Sequence, residues 1–256
     1  MLSAVYAGDV KRLAELIRQD RRLDVKMDQD EHGATLLHHA CWEDISSPMI
    51  PILLAHPGID VNVKDKSGWT PFFGACRNGN TSCVREMLKD SRLKVNEPGI
   101  DGCTPLWWAA ADGHLDSIKW WVASGREVDL GEPENEKKDV ILAAKTFRNS
   151  EVVILLERFK EHPEDTRHAM RVELGLLDKL AAEMFALVIF VSDGLLQAKD
   201  TATTPSPAAR FFSIARTLPL ELQMVLCYRA VGSGKEIIPG KDSEAAFLVW
   251  SSIFTS

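Results

Sequence analysis

A chain of 256 residues with 45% hydrophobic and 26% charged residues has the composition of a globular protein and room for two domains. Its 30 Lys plus Arg against 37 Asp plus Glu leave a formal net charge of −7, which excludes the broad basic footprint of a nucleic-acid binder. Five cysteines (Cys41, Cys76, Cys83, Cys103 and Cys227), odd in number and without CxxC spacing, imply buried thiols in a reducing compartment. The expected location is therefore the cytoplasm, with the nucleus left open. The first residues carry no charged-then-apolar signal pattern, and the longest apolar run, Met184 to Val191, falls far short of the roughly 20 residues a membrane span needs.

In chain order, the first pattern is a ladder of alanines. Ala4, Ala40, Ala75, Ala109 and Ala144 follow one another at intervals of 36, 35, 34 and 35 residues. Four residues after each stands Gly8, Asp44, Gly79, Gly113 or Arg148; nine after, Leu13, Met49, Val84, Ile118 or Val153; twelve after, Leu16, Ile52, Met87, Trp121 or Leu156. This is the chemistry of a short helix with a small residue at a close approach, a glycine turn, and a second helix with apolar residues three apart on one face. Such a hairpin cannot cover its own apolar side, so the units must stack.

The residues leading into the alanines carry a family resemblance. Gly68-Trp69-Thr70-Pro71-Phe72-Phe73-Gly74-Ala75 and Gly102-Cys103-Thr104-Pro105-Leu106-Trp107-Trp108-Ala109 resemble the ankyrin signature T-P-L-H-x-A; Gly33-Ala34-Thr35-Leu36-Leu37-His38-His39-Ala40 is a third copy. Thr can cap the first helix through its hydroxyl, and Pro is tolerated at the first helical position because its missing N–H is unpaired there anyway. Asp60-Val61-Asn62 and Lys94-Val95-Asn96 look like the family's D-V-N turns. The first unit, starting at Met1-Leu2-Ser3-Ala4, looks like a capping unit. The second carries Pro48 and Pro51, of which Pro48 can open a helix behind Ser47 while Pro51 must distort its first turn or lie at its edge. The fifth, Asp139-Val140-Ile141-Leu142-Ala143-Ala144, lacks the Thr-Pro opening and follows a polar loop over residues 131–138. The expected fold is all-α: an ankyrin-repeat solenoid of about five helix-turn-helix units over residues 1–162, then a small helical domain over residues 163–256.

Beyond His162-Pro163 no ladder continues. Residues 165–198 read as helices broken near Gly175, with an apolar stripe through Leu176, Leu177, Leu180, Met184, Leu187, Val188 and Val191. A polar linker over residues 201–207 precedes helices over residues 208–216 and 220–231; a last helix runs from Asp242 or Ser243 to about Phe254. This domain is expected to cap the stack. Leu218-Pro219-Leu220-Glu221-Leu222 resembles the opening of an F-box, which implies an alternative role as a ubiquitin-ligase substrate adaptor docking through Leu218–Leu226; the same residues also suit the start of an ordinary amphipathic helix. Gly232-Ser233-Gly234-Lys235 lacks the spacing and the following Ser or Thr of a phosphate loop.

No catalytic, cofactor or metal constellation is legible. His38 and Cys41 share a helix face, but two ligands do not complete a structural zinc site, which takes four. The chain therefore reads as a non-enzymatic, monomeric interaction module or scaffold, with a protein partner and neither nucleic acid nor membrane. In ankyrin repeats, partner contacts come from the turn before the Thr-Pro helix and from that helix's exposed end. Carried onto this sequence, the resemblance implies partner contacts at Trp42, Lys66, Trp69, Arg77, Asn78, Asp101 and Asp112. Trp and Arg are the residue types that dominate interface energetics. Trp121 is expected in the core; Trp108 or Trp120 is expected to face the next unit or the tail.

Overall fold

The computed structural model describes residues 2–19, 29–56, 58–133, 135, 138–192, 207–233, 235, 238 and 240–254. The chain divides into two compact units, residues 1–170 and 171–256.

The first unit is a run of helical hairpins: α1 (Leu2–Tyr6) with α2 (Val10–Gln19), α3 (Leu36–Trp42) with a 3-10 turn (Asp44–Met49) and α4 (Ile50–Leu54), α5 (Pro71–Asn78) with α6 (Thr81–Met87), α7 (Pro105–Ala111) with α8 (Leu115–Ser124), and α9 (Val140–Thr146) with α10 (Ser150–Glu161). All five ladder alanines are buried, as are Leu13, Met49, Val84, Ile118, Met87, Trp121 and Leu156 from the second helices. Thr70 and Thr104 cap α5 and α7 by accepting from Phe73 and Trp107 N–H at 3.2 Å, each with proline at the first helical position. In the fifth hairpin, Asp139 takes over the cap and accepts from Leu142 N–H at 2.8 Å. An acidic side chain at a helix N-terminus also meets the positive end of the helix dipole, so the lost Thr-Pro opening leaves no deficit.

The second hairpin departs from the expectation. Rather than opening at Pro48 behind Ser47, its second helix starts as a 3-10 turn at Asp44, carries Pro48 inside it and becomes α-helical only at Ile50, with Pro51 in the first turn. Pro48 has no N–H for an i→i−4 bond, and the tighter 3-10 winding carries the chain past it.

A second ladder binds the hairpins together. The residue five positions after the ladder alanine reaches back to cap the carbonyls at the end of the preceding first helix. Asn80 Nδ2 donates to Cys41 O and Trp42 O at 2.9 and 2.6 Å; Asn149 Nδ2 repeats this on Ala110 O and Ala111 O at the same distances; His114 Nε2 donates to Arg77 O at 2.8 Å. These carbonyls have no partner within their own helices, so the next repeat satisfies them. In the irregular second hairpin Ser46 does the work, donating to Val5 O at 2.8 Å.

Helix α11 (Pro163–Glu173) begins beyond this ladder, yet most of it belongs to the first unit. Arg167 Nη1 donates to Val122 O and Arg126 O at 3.1 and 3.2 Å, and Thr166 and Met170 are buried.

In the second unit, α12 (Leu176–Ser192) packs against α13 (Pro207–Ala215), α14 (Leu220–Ala230) and α15 (Gly240–Phe254). Its buried face runs through Leu177, Ala181, Ala182, Phe185, Ala186 and Val188, whereas Leu180 from the expected stripe is half-exposed. The helix is apolar over most of its circumference, and the side with alanines lets its neighbours approach closely. Residues 201–206 of the expected linker lie outside the described residues; Pro207 opens α13. In the F-box-like segment, Leu220 and Leu222 are exposed while Gln223 is buried, as are Cys227 and Tyr228 just beyond it. Among the described residues no helix is long and apolar enough to cross a membrane.

Candidate interaction surface

The first helices pack in a row, α1 on α3, α3 on α5, α5 on α7 and α7 on α9. Residues three apart share a helix face, so the position just before each ladder alanine and the position two after it line one stripe. Across each joint, the later position on one helix meets the earlier position on the next. Tyr6 pairs with His39, its hydroxyl 2.8 Å from Nδ1. Trp42 lies over Gly74, where an added Cβ would stand 2.6 Å from the indole Nε1. Arg77 meets Trp108, its guanidinium carbon 4.5 Å from the ring centroid.

Trp69, from the turn before α5, closes the other side of Arg77, with the guanidinium carbon 4.4 Å from its ring centroid. The arginine is thus held between two indoles, an arrangement that cation–π attraction favours. Each indole is itself braced. Trp69 stacks on Phe73 at 5.2 Å and 16°, and Trp108 Nε1 donates to Asp101 Oδ2 at 3.3 Å while its ring meets Trp107 edge-on at 5.1 Å. Trp107 extends the row toward Phe147, 6.4 Å away. Two large apolar side chains flank the row in solvent: Ile100, 81% exposed over Gly68, and Phe147, 56% exposed.

Of the seven residues implied by the resemblance, the structure brings Trp69, Arg77 and Asp101 into one cluster. Trp42 forms its own half-buried patch, its ring edge-on to His39 at 4.8 Å, and Asn78 lies next to it with Nδ2 3.5 Å from Trp42 O. Lys66 is exposed, but its ammonium donates to Glu31 O at 2.6 Å and so ties two adjacent turns. Asp112 is the exposed C-cap of α7 and makes no part of the cluster. Trp108 and Phe73, which complete the arginine's setting, stand outside that set. Their signal in sequence is the register itself, since Trp108 holds the pre-alanine position that faces Arg77.

Beneath the surface, His38 joins two repeats. Thr35 N–H donates to Nδ1 at 3.0 Å, which leaves the proton on Nε2, donating to Trp69 O at 3.0 Å. Both ring nitrogens are therefore occupied, and neighbouring Cys41 is fully buried, with its thiol pKa pushed well up by desolvation. Burial, the largest influence, holds His38 below the ordinary histidine value, against the raising effects of the Trp69 carbonyl, Asp65 and Asp30; His39 acts in the lowering sense. Burial likewise lowers His39, outweighing Asp30, whose carboxylate lies 3.1 Å away.

A histidine with a depressed folded pKa binds fewer protons folded than unfolded, so its contribution is present above about pH 6.5 and is lost as the pH falls below that value. Stability is accordingly expected to drop as the pH falls below about 6.5. In urea titrations His38→Gln should flatten this slope, leaving the share due to His39. An unchanged slope in the variant would contradict the assignment.

The comparisons with known proteins agree with this geometry. Residues 46–132 match the family described as ankyrin repeats in three copies. The chain is 32% identical over 177 residues to human SMC5-SMC6 complex localization factor protein 1, and 31% identical over 172 residues to the bovine protein of the same name. These alignments cover 65% and 64% of this chain but 16% of each relative, so the chain matches a small part of their length. A Rickettsia bellii (strain RML369-C) protein assigned to the ankyrin repeats is 31% identical over 119 residues, 46% of this chain and 64% of that protein. Capped Thr-Pro helices, the alanine ladder and the stacked hairpins are the physical content of that match, and the chain carries three ankyrin repeats over residues 46–132.

Proposed function

We propose that the concave face of the repeat stack, made by the first helices and the turns before them, holds a protein partner, and that the chain works as an adaptor rather than an enzyme. The observation that carries this reading is the braced row of Trp69, Arg77, Trp108 and Trp107, flanked by exposed Ile100 and Phe147. Rigid aromatic and arginine anchors inside an apolar border are what interface hot spots are made of. Repeat stacks present such extended surfaces for binding. The similarity to proteins named as localization factors of a complex supports an adaptor role.

The test is affinity capture with mass spectrometry on three forms of the full chain: wild type, Trp69→Ala with Arg77→Ala, and Lys89→Ala on the second-helix layer. Once all three are shown to be folded, the double variant is expected to lose proteins that the other two retain. An identical set from all three would contradict the proposal.

A further inference from the structure

We propose that Arg77 is the receptor for a side-chain carboxylate of the partner, an Asp or Glu set between apolar residues in an extended segment. This deepens the repeat-face reading and rests on it. The Arg77 guanidinium carbon lies 4.4 and 4.5 Å from the two indole centroids, and the N–H groups of a guanidinium point outward in its own plane. Among the described residues, no carboxylate or carbonyl accepts a hydrogen bond from these groups.

Several other arginines of the stack are paired within the chain. Arg92 holds Asp90 and Leu54 O, Arg126 donates to Leu93 O, and Arg167 donates to Val122 O and Arg126 O. Arg77 is instead fixed without being paired. His114 ties its backbone carbonyl at 2.8 Å, and Phe73 and Asp101 brace the two indoles. The rotamer entropy that a charged anchor normally loses on binding is largely lost already in the free protein.

The slot also selects the shape of its ligand. An acceptor must approach in the guanidinium plane, and a planar carboxylate matches that fork with two parallel bonds. A phosphate dianion is disfavoured. The carboxylate of Asp101 sits on Trp108 at the slot's rim, and the nearby Lys66 ammonium is committed to Glu31 O. Exposed Ile100 at the Trp69 side and Phe147 beyond Trp107 call for apolar residues flanking the acidic one. A long acidic run is unfavourable against a chain of net charge −7.

The experiment uses immobilised full chain and four degenerate peptide pools, with apolar residues around a central position fixed as Glu, Gln, phosphoserine or Lys. Wild type is expected to retain the Glu pool about tenfold over the Gln pool, the scale of a charge-assisted bidentate contact. Arg77→Gln should erase that preference. Arg77→Met, whose apolar side chain can still stack between the indoles, should erase it too while keeping the thermal melt near wild type.

Equal retention of the Glu and Gln pools, a Glu preference surviving in both variants, or preference for the phosphoserine or Lys pool would overturn the proposal. Pools held without regard to the central residue but lost in Trp69→Ala would remove the carboxylate receptor and keep the repeat-face reading. Binding unchanged by Arg77→Gln, Arg77→Met and Trp69→Ala would remove both.

Discussion

Replacing Trp121 by alanine is expected to destabilise the repeat stack by about 3–5 kcal/mol, the range for truncating a large buried aromatic. Trp121 is 1% exposed, meets Phe72 of the preceding repeat edge-on at 5.0 Å, and donates through Nε1 to Glu127 O at 2.9 Å. Its removal opens a cavity at the joint between two repeats and orphans a carbonyl, and each repeat depends on such joints for its stability. Hydrogen exchange of α5 to α8 amide protons in urea would read the loss. Because the two rings touch, Phe72→Ala combined with Trp121→Ala should cost less than the sum of the single changes. A loss of less than about 1 kcal/mol for Trp121→Ala would show that the joint repacks.

The second large effect is expected at Gly113. Its φ of 77° lies in the left-handed region, and an added Cβ would stand 2.7 Å from Asn149 Oδ1. Asn149 is the residue whose amide caps Ala110 O and Ala111 O. Gly113→Ala thus combines backbone strain of about 1–2 kcal/mol with displacement of the inter-repeat cap, worth about another 1–2 kcal/mol. The same position in the fifth repeat supplies the counter-experiment. Arg148 adopts φ 64°, the one non-glycine residue with positive φ among those described, so Arg148→Gly should gain about 1 kcal/mol. Thermal melts of both variants test the pair; a neutral Gly113→Ala would contradict the role given to Asn149.

Arg148 also shows how much of the fold the sequence carried. The alanine spacing assigned it a glycine's place, and its backbone takes a glycine's conformation there. The period is legible because every joint repeats one steric demand, a small residue where two first helices touch. The second hairpin escaped the same reasoning, since a proline pair changes the helix type locally and propensity alone does not say where the 3-10 segment starts. The cap at Asp139 stands where the Thr-Pro pattern fails, and its signal in sequence is an acidic side chain before an apolar run.

The candidate site was legible by residue type and only partly by geometry. Trp69 and Asp101 from the turns and Arg77 from the helix end were three of the seven residues that the resemblance implied. That Arg77 lies between two indoles depends on which side chain of one repeat meets which of the next, and such a cross-joint relation has no trace within a single repeat. The same relation separated Lys66, spent on the neighbouring turn, from the residues that remain open to a partner. Trp42 likewise owes its seat to Gly74, whose missing side chain makes the notch for the indole.

The most direct test of the repeat face as the recognition surface is site-specific photo-crosslinking in cells. A photoreactive residue would be placed at position 78, at the exposed end of α5, or at position 89, just beyond α6 on the second-helix layer. The account predicts a discrete protein adduct from position 78 that disappears with Trp69→Ala, and none from position 89. Adducts from position 89 with none from position 78 would contradict it.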